Sequence, residues 1–416
     1  MVPAFLRRAW MAFLSQGGQA ASSFLLTIVV SRAVDPSVRG EFVLLTLIPQ
    51  IGAYIVTLGL PGAVMRSVAA EGEHRAPLLG ISILASCAAG LVLTALTPLV
   101  MSLAHSPSPS ILLVFGETTA LVWLIFVSWF AFGCEQFILA GALRTVPIFC
   151  TLIAVAALDA LGHTGLLAMF APWAGFHMAT AAVSAVYFLR RYGFVLPRPA
   201  QAFQWISYGI RYSTIQLLNL VTLRFDQLIL GWLGTTAAVG LYSIAVSLSE
   251  GILLATTAVG LIVFLDSAKE GTGTPFRRKL VTTVLASCLV AGLLALVAHP
   301  LIELLFGGRY ASAAALTRIL AIGTPGLVTL RLVTNRLSGA GRPGTASVYA
   351  LVALAVTTSL DLILIPGSGA TGASWASAIG YNLGGATALL TMRRVTRRRR
   401  TGPDPAGSVD LGGSQA

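Results

Sequence analysis

The sequence predicts an all-α integral membrane protein: twelve transmembrane helices in two pseudo-symmetric six-helix halves around a central cavity, with amino and carboxyl termini in the cytoplasm. Three observations carry that prediction. Hydrophobic residues make up 56% of the chain, charged residues only 10%, and the mean hydropathy is +0.85, more apolar surface than a soluble core absorbs. Apolar runs of roughly 20 residues, the length a helix needs to cross hydrocarbon, recur twelve times. Finally, Gln16, Gln19, Gly40, Phe42, Gln50 and Thr57 recur 200 residues later as Gln216, Asn219, Gly240, Tyr242, Glu250 and Thr257, as expected of a chain built from two equivalent halves.

The predicted spans are 9–31, 41–65, 77–103, 110–133, 138–161, 165–189, 204–232, 238–264, 280–305, 312–335, 344–365 and 370–392. The first follows a short basic start and runs into Ser31 and Arg32 without a small-residue cleavage site, so it reads as a retained helix. Within it Gln16, Gln19, Ser23 and Thr27 share one face at 100° per residue. The second carries Thr46, Gln50, Tyr54, Thr57 and Pro61 on a similar arc. The third ends at the polar loop His105 to Ser110; the fourth holds Glu117 on a line with Ser128. The fifth stops at Gly162, and the sixth carries His177 near its middle.

In the seventh span Tyr208, Arg211, Asn219, Thr222 and Asp226 align, with Gln216 at the margin and Arg224 off the stripe. The eighth aligns Ser243, Ser247, Glu250 and Thr257, and the tenth Thr324, Arg331, Asn335 and Ser338. Ser and Thr on such stripes are expected to hydrogen-bond within or between helices. Arg211, Glu250 and Arg331 lie far from span ends, where an unpaired charge costs at least about 2.5–3.5 kcal/mol. They require a partner, water or a substrate; Glu250 paired with Arg211 or Arg331 is one expectation and a cavity role is the other. Asp226, Asp361, Asp159, Glu303 and Arg318 lie nearer outer ends, where snorkelling explains them. Asp226 stands apart because it is also on the seventh stripe. For His177 a buried, hydrogen-bonded ring is favoured over a proton relay.

Charge sets the orientation. A net charge of +12 is no nucleic-acid footprint here, because the bases are sorted by loop. Alternating the spans from a cytoplasmic start puts twenty of the 27 Lys and Arg on the cytoplasmic face, including six between Arg393 and Arg400, and only Arg32, Arg39 and Arg309 outside. That is the positive-inside pattern. The longest polar connection before the tail, from Arg190 to about Gln204, contains Pro197 and Pro199 and divides six spans from six. The expected units are therefore 1–196, 197–392 and a basic, then Gly/Pro/Ser-rich tail at 393–416.

Several classes are disfavoured. Outer loops such as Gly162–Thr164, Gly234–Ala237 and Pro366–Ala370 are short, so no extracytoplasmic domain offers the acidic residues of a glycosyltransferase or polymerase. No Gly-rich phosphate loop with a Walker-type lysine is present. Cys87, Cys134, Cys150 and Cys288 have no metal-ligand spacing and read as small packing residues. The reading is a non-enzyme with no catalytic residues, no cofactor and no metal site.

Fragments along nearly the whole chain resemble one family. They include Ser31-Arg-Ala-Val-Asp-Pro-Ser-Val-Arg-Gly40-Glu-Phe42, Arg224-Phe-Asp226-Gln-Leu-Ile-Leu-Gly231 and Val239-Gly240-Leu-Tyr242-Ser-Ile-Ala245. Leu305-Phe-Gly307-Gly-Arg-Tyr310, Asn335-Arg-Leu-Ser-Gly-Ala-Gly341-Arg342, Ile365-Pro366 and Gly369-Ala-Thr-Gly372 continue the series. Together they are similar to the Wzx-type polysaccharide and oligosaccharide flippases of the multidrug/oligosaccharidyl-lipid/polysaccharide exporter (MOP) superfamily. The proline usual at the inner end of the eighth span is missing in Leu261 to Asp266.

The resemblance implies a multi-pass protein of the plasma or inner membrane, acting in cell-surface polysaccharide biosynthesis. It would turn a polyprenyl-diphosphate-linked glycan from the cytoplasmic to the outer leaflet, as a monomer, with a glycan polymerase and glycosyltransferases as candidate partners. Arginine suits a diphosphate through its permanent charge and forked donors. Arg211 and Arg331 are thus expected to attract the headgroup, and Gln16, Gln19, Gln50, Gln216 and Asn219 to bond sugar hydroxyls. Glu250, Asp226, Glu117 and His177 are candidates for ion coupling or structural pairing. Two alternatives stand beside this: a cation-coupled multidrug exporter of the same superfamily, relying on cavity acids, and a non-transporting scaffold for glycan-assembly enzymes.

Overall fold

The computed structural model describes residues 2–401 apart from 71–74, 105–109, 269–275 and 341; the side chains of 2–16, 70, 211–216, 219, 254, 255, 258, 261, 265, 268, 343 and 391–401 also lie outside the description. Among the described residues every regular element is a helix. They are α1 (Val2–Ala33), α2 (Pro36–Val56), α3 (Leu60–Ala70), α4 (Arg75–Leu103), α5 (Ile111–Gly133) and α6 (Phe137–Ala160). Then follow α7 (Leu166–Tyr192), α8 (Pro199–Leu233), α9 (Thr236–Ala268), α10 (Phe276–Phe306), a single 3-10 turn at Gly308–Tyr310, α11 (Ala313–Gly339) and α12 (Pro343–Thr401). Nine stretches among the described residues are long and apolar enough to cross a membrane.

Local chemistry sets the boundaries. Pro36 and Pro199 open α2 and α8 at a position where a missing N–H costs nothing, and Ser110 accepts from the Leu113 N–H to cap α5. One departure from the sequence expectation concerns continuity. The span expected at 41–65 is two helices, because the chain breaks at Thr57–Gly59 with Leu58 at φ 48° and Gly59 at φ 71°. The turn expected at 366–370 is present: α12 is two helices that fold back on each other at Gly369 (φ 53°, ψ −130°), a conformation that glycine adopts without a Cβ penalty, so that a Cβ on Gly372 would stand 2.4 Å from the Leu364 carbonyl oxygen. Cys87 and Cys288 face outward and do not pack, and all four cysteines are free.

With lipid outside, packing between helices rests on close van der Waals approach at small residues. The tightest crossing joins α2 to α9. A Cβ on Gly40 would stand 1.8 Å from the Thr236 carbonyl oxygen, and one on Gly240 would stand 2.0 Å from that of Pro36. Pro36 and Thr236, like Gly40 and Gly240, are 200 residues apart, so the contact is reciprocal in the manner of a two-fold interface.

The same end is interlocked by polar groups. Arg309 donates to Asp35 Oδ1 (2.8 Å) and to the Arg32 carbonyl (2.9 Å), while Arg32 donates to the carbonyls of Leu304 and Leu305. Tyr310 donates to the Val34 carbonyl at 2.8 Å. Arg39 is 3% exposed and donates to Ser243 Oγ, Ser31 Oγ and the Thr27 carbonyl. All three arginines expected outside therefore tie distant parts of the chain together.

At the opposite, basic end the connection between α7 and α8 is seated on the first six helices. A Cβ on Gly80 would meet the Val195 carbonyl at 2.1 Å. Trp205 is buried in a cluster with Val64, Val68, Leu78 and Leu79, against which Ala202, Ile206 and Tyr208 pack. The first turns of α8 thus cross over to α3.

Candidate functional site

A small opening lies among Leu223, Val246, Ser249, Glu250, Leu253, Leu320, Thr324, Leu327 and Tyr381. These residues come from α8, α9, α11 and α12 alone, whereas the sequence suggested an opening shared with the first two spans. Glu250 is the charged residue of this lining, and two arginines stand behind it. Arg224 Nη2 donates to Glu250 Oε2 at 2.9 Å. Arg331, half-buried on α11, is within electrostatic reach of both, yet it has no hydrogen-bond or ion-pair partner among the described residues. Two guanidinium groups and one carboxylate leave one net positive charge.

The described ion-pair partner of Glu250 is thus Arg224, not Arg331 as one expectation had it; the Arg211 side chain lies outside the described residues. Arg224 was placed off the stripe because the wheel counts Cα directions, and an arginine stem is long enough to bring its head round. The Ser and Thr of the stripes are mostly satisfied within their own helices: Thr46, Thr57, Thr222, Ser243, Ser247, Thr257 and Thr324 each donate to a carbonyl three or four residues back. Gln19 and Gln50 are half-buried with no described hydrogen bond. The side chains of Gln16, Arg211, Gln216 and Asn219 lie outside the described residues.

A second polar cluster sits nearby on α8, α9 and α12. Asp226 Oδ2 accepts from Tyr242 Oη (2.5 Å) and Ser377 Oγ (3.0 Å), and Oδ1 accepts from the Gln227 N–H (2.7 Å). Asp361 is within electrostatic reach of it. The two aspartates are 2% and 1% exposed, so neither snorkels as expected; position along a span does not report packing around it. Neither carboxylate oxygen of Asp361, nor Thr357 Oγ1 one turn before it, has a hydrogen-bond partner among the described residues. Two nearby buried carboxyl groups, one without donors, form the kind of oxygen-rich site that a cation or proton would satisfy.

In the first six helices the buried acid is Glu117, fully enclosed on α5. Trp173 Nε1 donates to its Oε1 at 3.0 Å, and the Trp173 ring meets Phe42 edge-on at 5.9 Å. His177 is buried with Nδ1 2.7 Å from the Trp173 carbonyl. Phe42 and Tyr242 are partners in the repeat, so each anchors a buried acid, one through Trp173 and one directly. Among the described residues no group of three or more His, Cys, Asp or Glu forms a metal cage.

Residues 5–264 match the profile of a family described as polysaccharide biosynthesis protein. The chain belongs to that family. Among curated proteins no sequence matches it significantly. Solved structures share its fold at low identity. The lipid II flippase MurJ in an inward closed conformation superposes with a TM-score of 0.75 at 11% identity, covering 93% of this chain and 87% of that one. A multidrug resistance MATE family transporter of the MOP superfamily, inward-facing, gives 0.73 at 13% identity, covering 92% and 96%. The Vibrio cholerae MATE transporter VcmN, as a mutant, gives 0.63 at 15% identity, covering 94% and 96%. This polysaccharide biosynthesis protein thus has the MOP transporter fold.

Proposed function

We propose that this chain is a flippase that moves a lipid-linked oligosaccharide or polysaccharide intermediate from the cytoplasmic to the outer leaflet by alternating access. The cargo is a glycan on polyprenyl diphosphate. The observation that carries the reading is the net-positive Arg224–Glu250–Arg331 cluster, in which Glu250 is ion-paired to Arg224 and Arg331 has no ion pair of its own among the described residues. A half-buried cation inside a membrane bundle is costly unless something neutralises it, and a diphosphate supplies charge and acceptor oxygens. The sugar passes between the halves beside this charged cluster while the prenyl tail stays in lipid. Arg211, Gln16, Gln19, Gln50, Gln216 and Asn219 extend this surface in the proposal. The halves 1–196 and 197–392 rock so that the reciprocal Gly40–Gly240 contact parts when that end opens, and the basic end faces the cytoplasm.

Asp226 and Asp361 are proposed to couple transport to a cation. The same pair is the observation that favours the second reading, cation-coupled drug export. Reconstitution separates the two. Full-length protein in vesicles is expected to expose a fluorescent polyprenyl-diphosphate oligosaccharide to an added reductant, with no ion-driven accumulation of cationic dyes. Dye accumulation without glycan transfer would overturn the proposal.

A further inference from the structure

We infer that α3 and the start of α8 form a hinged door at the basic end, and that Arg66 on that door is an entry site for a phosphate-bearing headgroup. This rests on the reading of the chain as a carrier of an anionic lipid-linked cargo. The hinge is the break at 57–59. There Leu58, a branched residue, is held at φ 48° and Gly59 at φ 71°, although the sequence around them is apolar enough to have continued the helix. Left-handed conformations for a residue such as leucine are retained only where surrounding structure enforces them. The repeat-related stretch, 257–259, lies inside the unbroken helix α9. The break therefore belongs to one half only and is no general requirement of the fold.

What lies against the hinge is α8. A Cβ on Gly209 would be 2.9 Å from the Leu58 carbonyl oxygen and 3.0 Å from the Gly59 carbon and Leu60 nitrogen, so this glycine lets the two backbones touch. One residue earlier the Tyr208 ring lies under the Arg66 guanidinium, 4.3 Å from it. Trp205, one turn earlier again, is buried against Val64 and Val68 of α3. A little over one turn of α8, Trp205 to Gly209, thus meets α3 and its hinge by an apolar anchor, a cation–π contact and a backbone contact.

Arg66 is exposed, and among the described residues it has no acidic partner; the ring of Tyr208 is its described contact. A phosphate offers the guanidinium paired, charge-assisted acceptors, a stronger contact than an exposed aromatic face. An arriving phosphate group therefore takes Arg66 from Tyr208, loosens the first turns of α8, and frees α3 to swing about Gly59. The cargo opens its own door. A bilayer phospholipid and soluble diphosphate share this chemistry, so the test must separate the sources.

Spin labels on the exposed positions Ala69 and Phe203 report the α3–α8 distance in full-length protein in phosphatidylcholine vesicles. Polyprenyl diphosphate is expected to lengthen that distance in the parent. Arg66→Gln is expected to be open without ligand, unresponsive to it, and at least tenfold weaker in binding polyprenyl diphosphate. Tyr208→Leu is expected to be open yet to bind severalfold more tightly, since the competing ring is gone. Parent-like binding by Arg66→Gln, or an unchanged distance in the ligand-treated parent, overturns the inference. An equal response to phosphatidylglycerol vesicles or to inorganic pyrophosphate alone also overturns it, by showing an unselective anion site. None of these readings requires transport. Failure of glycan transfer in the parent with a responsive door rejects the proposed function and not the door, and transfer with an unresponsive door does the reverse.

Discussion

Substituting alanine at Gly40 or Gly240 is expected to prise the outer end apart. At Gly40 the new methyl would begin 1.8 Å from the Thr236 oxygen, and at Gly240 2.0 Å from that of Pro36. Ordinary contact starts near 3.4 Å, so α2 and α9 must part by about 1.5 Å, because the atoms in the way are backbone and have no rotamer to change. Overpacking of this kind costs about 1–3 kcal/mol. Only the closed arrangement incurs that cost, so it becomes a shift of about 5- to 150-fold toward the open one. The assay is trapping by a short bis-maleimide between cysteines placed at Asp35 and Arg309, in full-length chain otherwise free of cysteine. Both alanine variants should trap at least fivefold more slowly, and by similar factors, because the contact is reciprocal. A folded Gly40→Ala protein that traps as fast as its parent would refute the reasoning.

Arg309→Ala removes the ion pair with Asp35 and the bond to the Arg32 carbonyl. The pair is exposed, so the loss should be no more than about 1 kcal/mol, read as a modest lengthening between spin labels on Ser37 and Ser312 that disappears at high salt. Trp173→Phe strips Glu117 of its main donor and should destabilise the fold by about 1–3 kcal/mol; an unchanged thermal midpoint would count against that bond. If Asp361 binds a cation with Asp226, sodium or acid should raise the midpoint of the parent and not of Asp361→Ala. An equal rise in both would dismiss the site. In cation-free buffer at neutral pH the alanine variant should be the more stable, since it removes a buried group with two unpartnered oxygens.

Much of this architecture is legible in the sequence because a membrane makes length and apolarity decisive. Each expected span has a helix, and the repeat pairing Gly40 with Gly240 marks the tightest helix crossing. What stays hidden follows from geometry that composition does not encode. Thr57-Leu58-Gly59 looks like continuous helix, and only the seating of Gly209 against it gives the break a use. By contrast, the turn expected at 366–370 is found at Gly369, where α12 folds back on itself. In the candidate site, Glu250 and Arg331 were visible as costly charges, but a wheel of ideal 100° steps misplaced Arg224, whose flexible stem delivers the pairing. Asp226 and Asp361 depart for another reason: snorkelling requires an open path to water, and both carboxylates are buried, Asp226 beneath Tyr242 and Ser377. Glu117 announced itself only as an acid in an apolar run, while its donor, Trp173, lies 56 residues away.

The central claim is that Arg331, with no ion pair of its own among the described residues, takes the charge of a lipid-linked cargo. Its most direct test is transfer of polyprenyl-diphosphate oligosaccharide in vesicles carrying equal amounts of folded parent, Arg331→Lys or Arg331→Ala protein. The account predicts loss of at least tenfold in the alanine variant and partial retention with lysine, which keeps the charge but not the forked donors. Parent-like transfer by Arg331→Ala would contradict it.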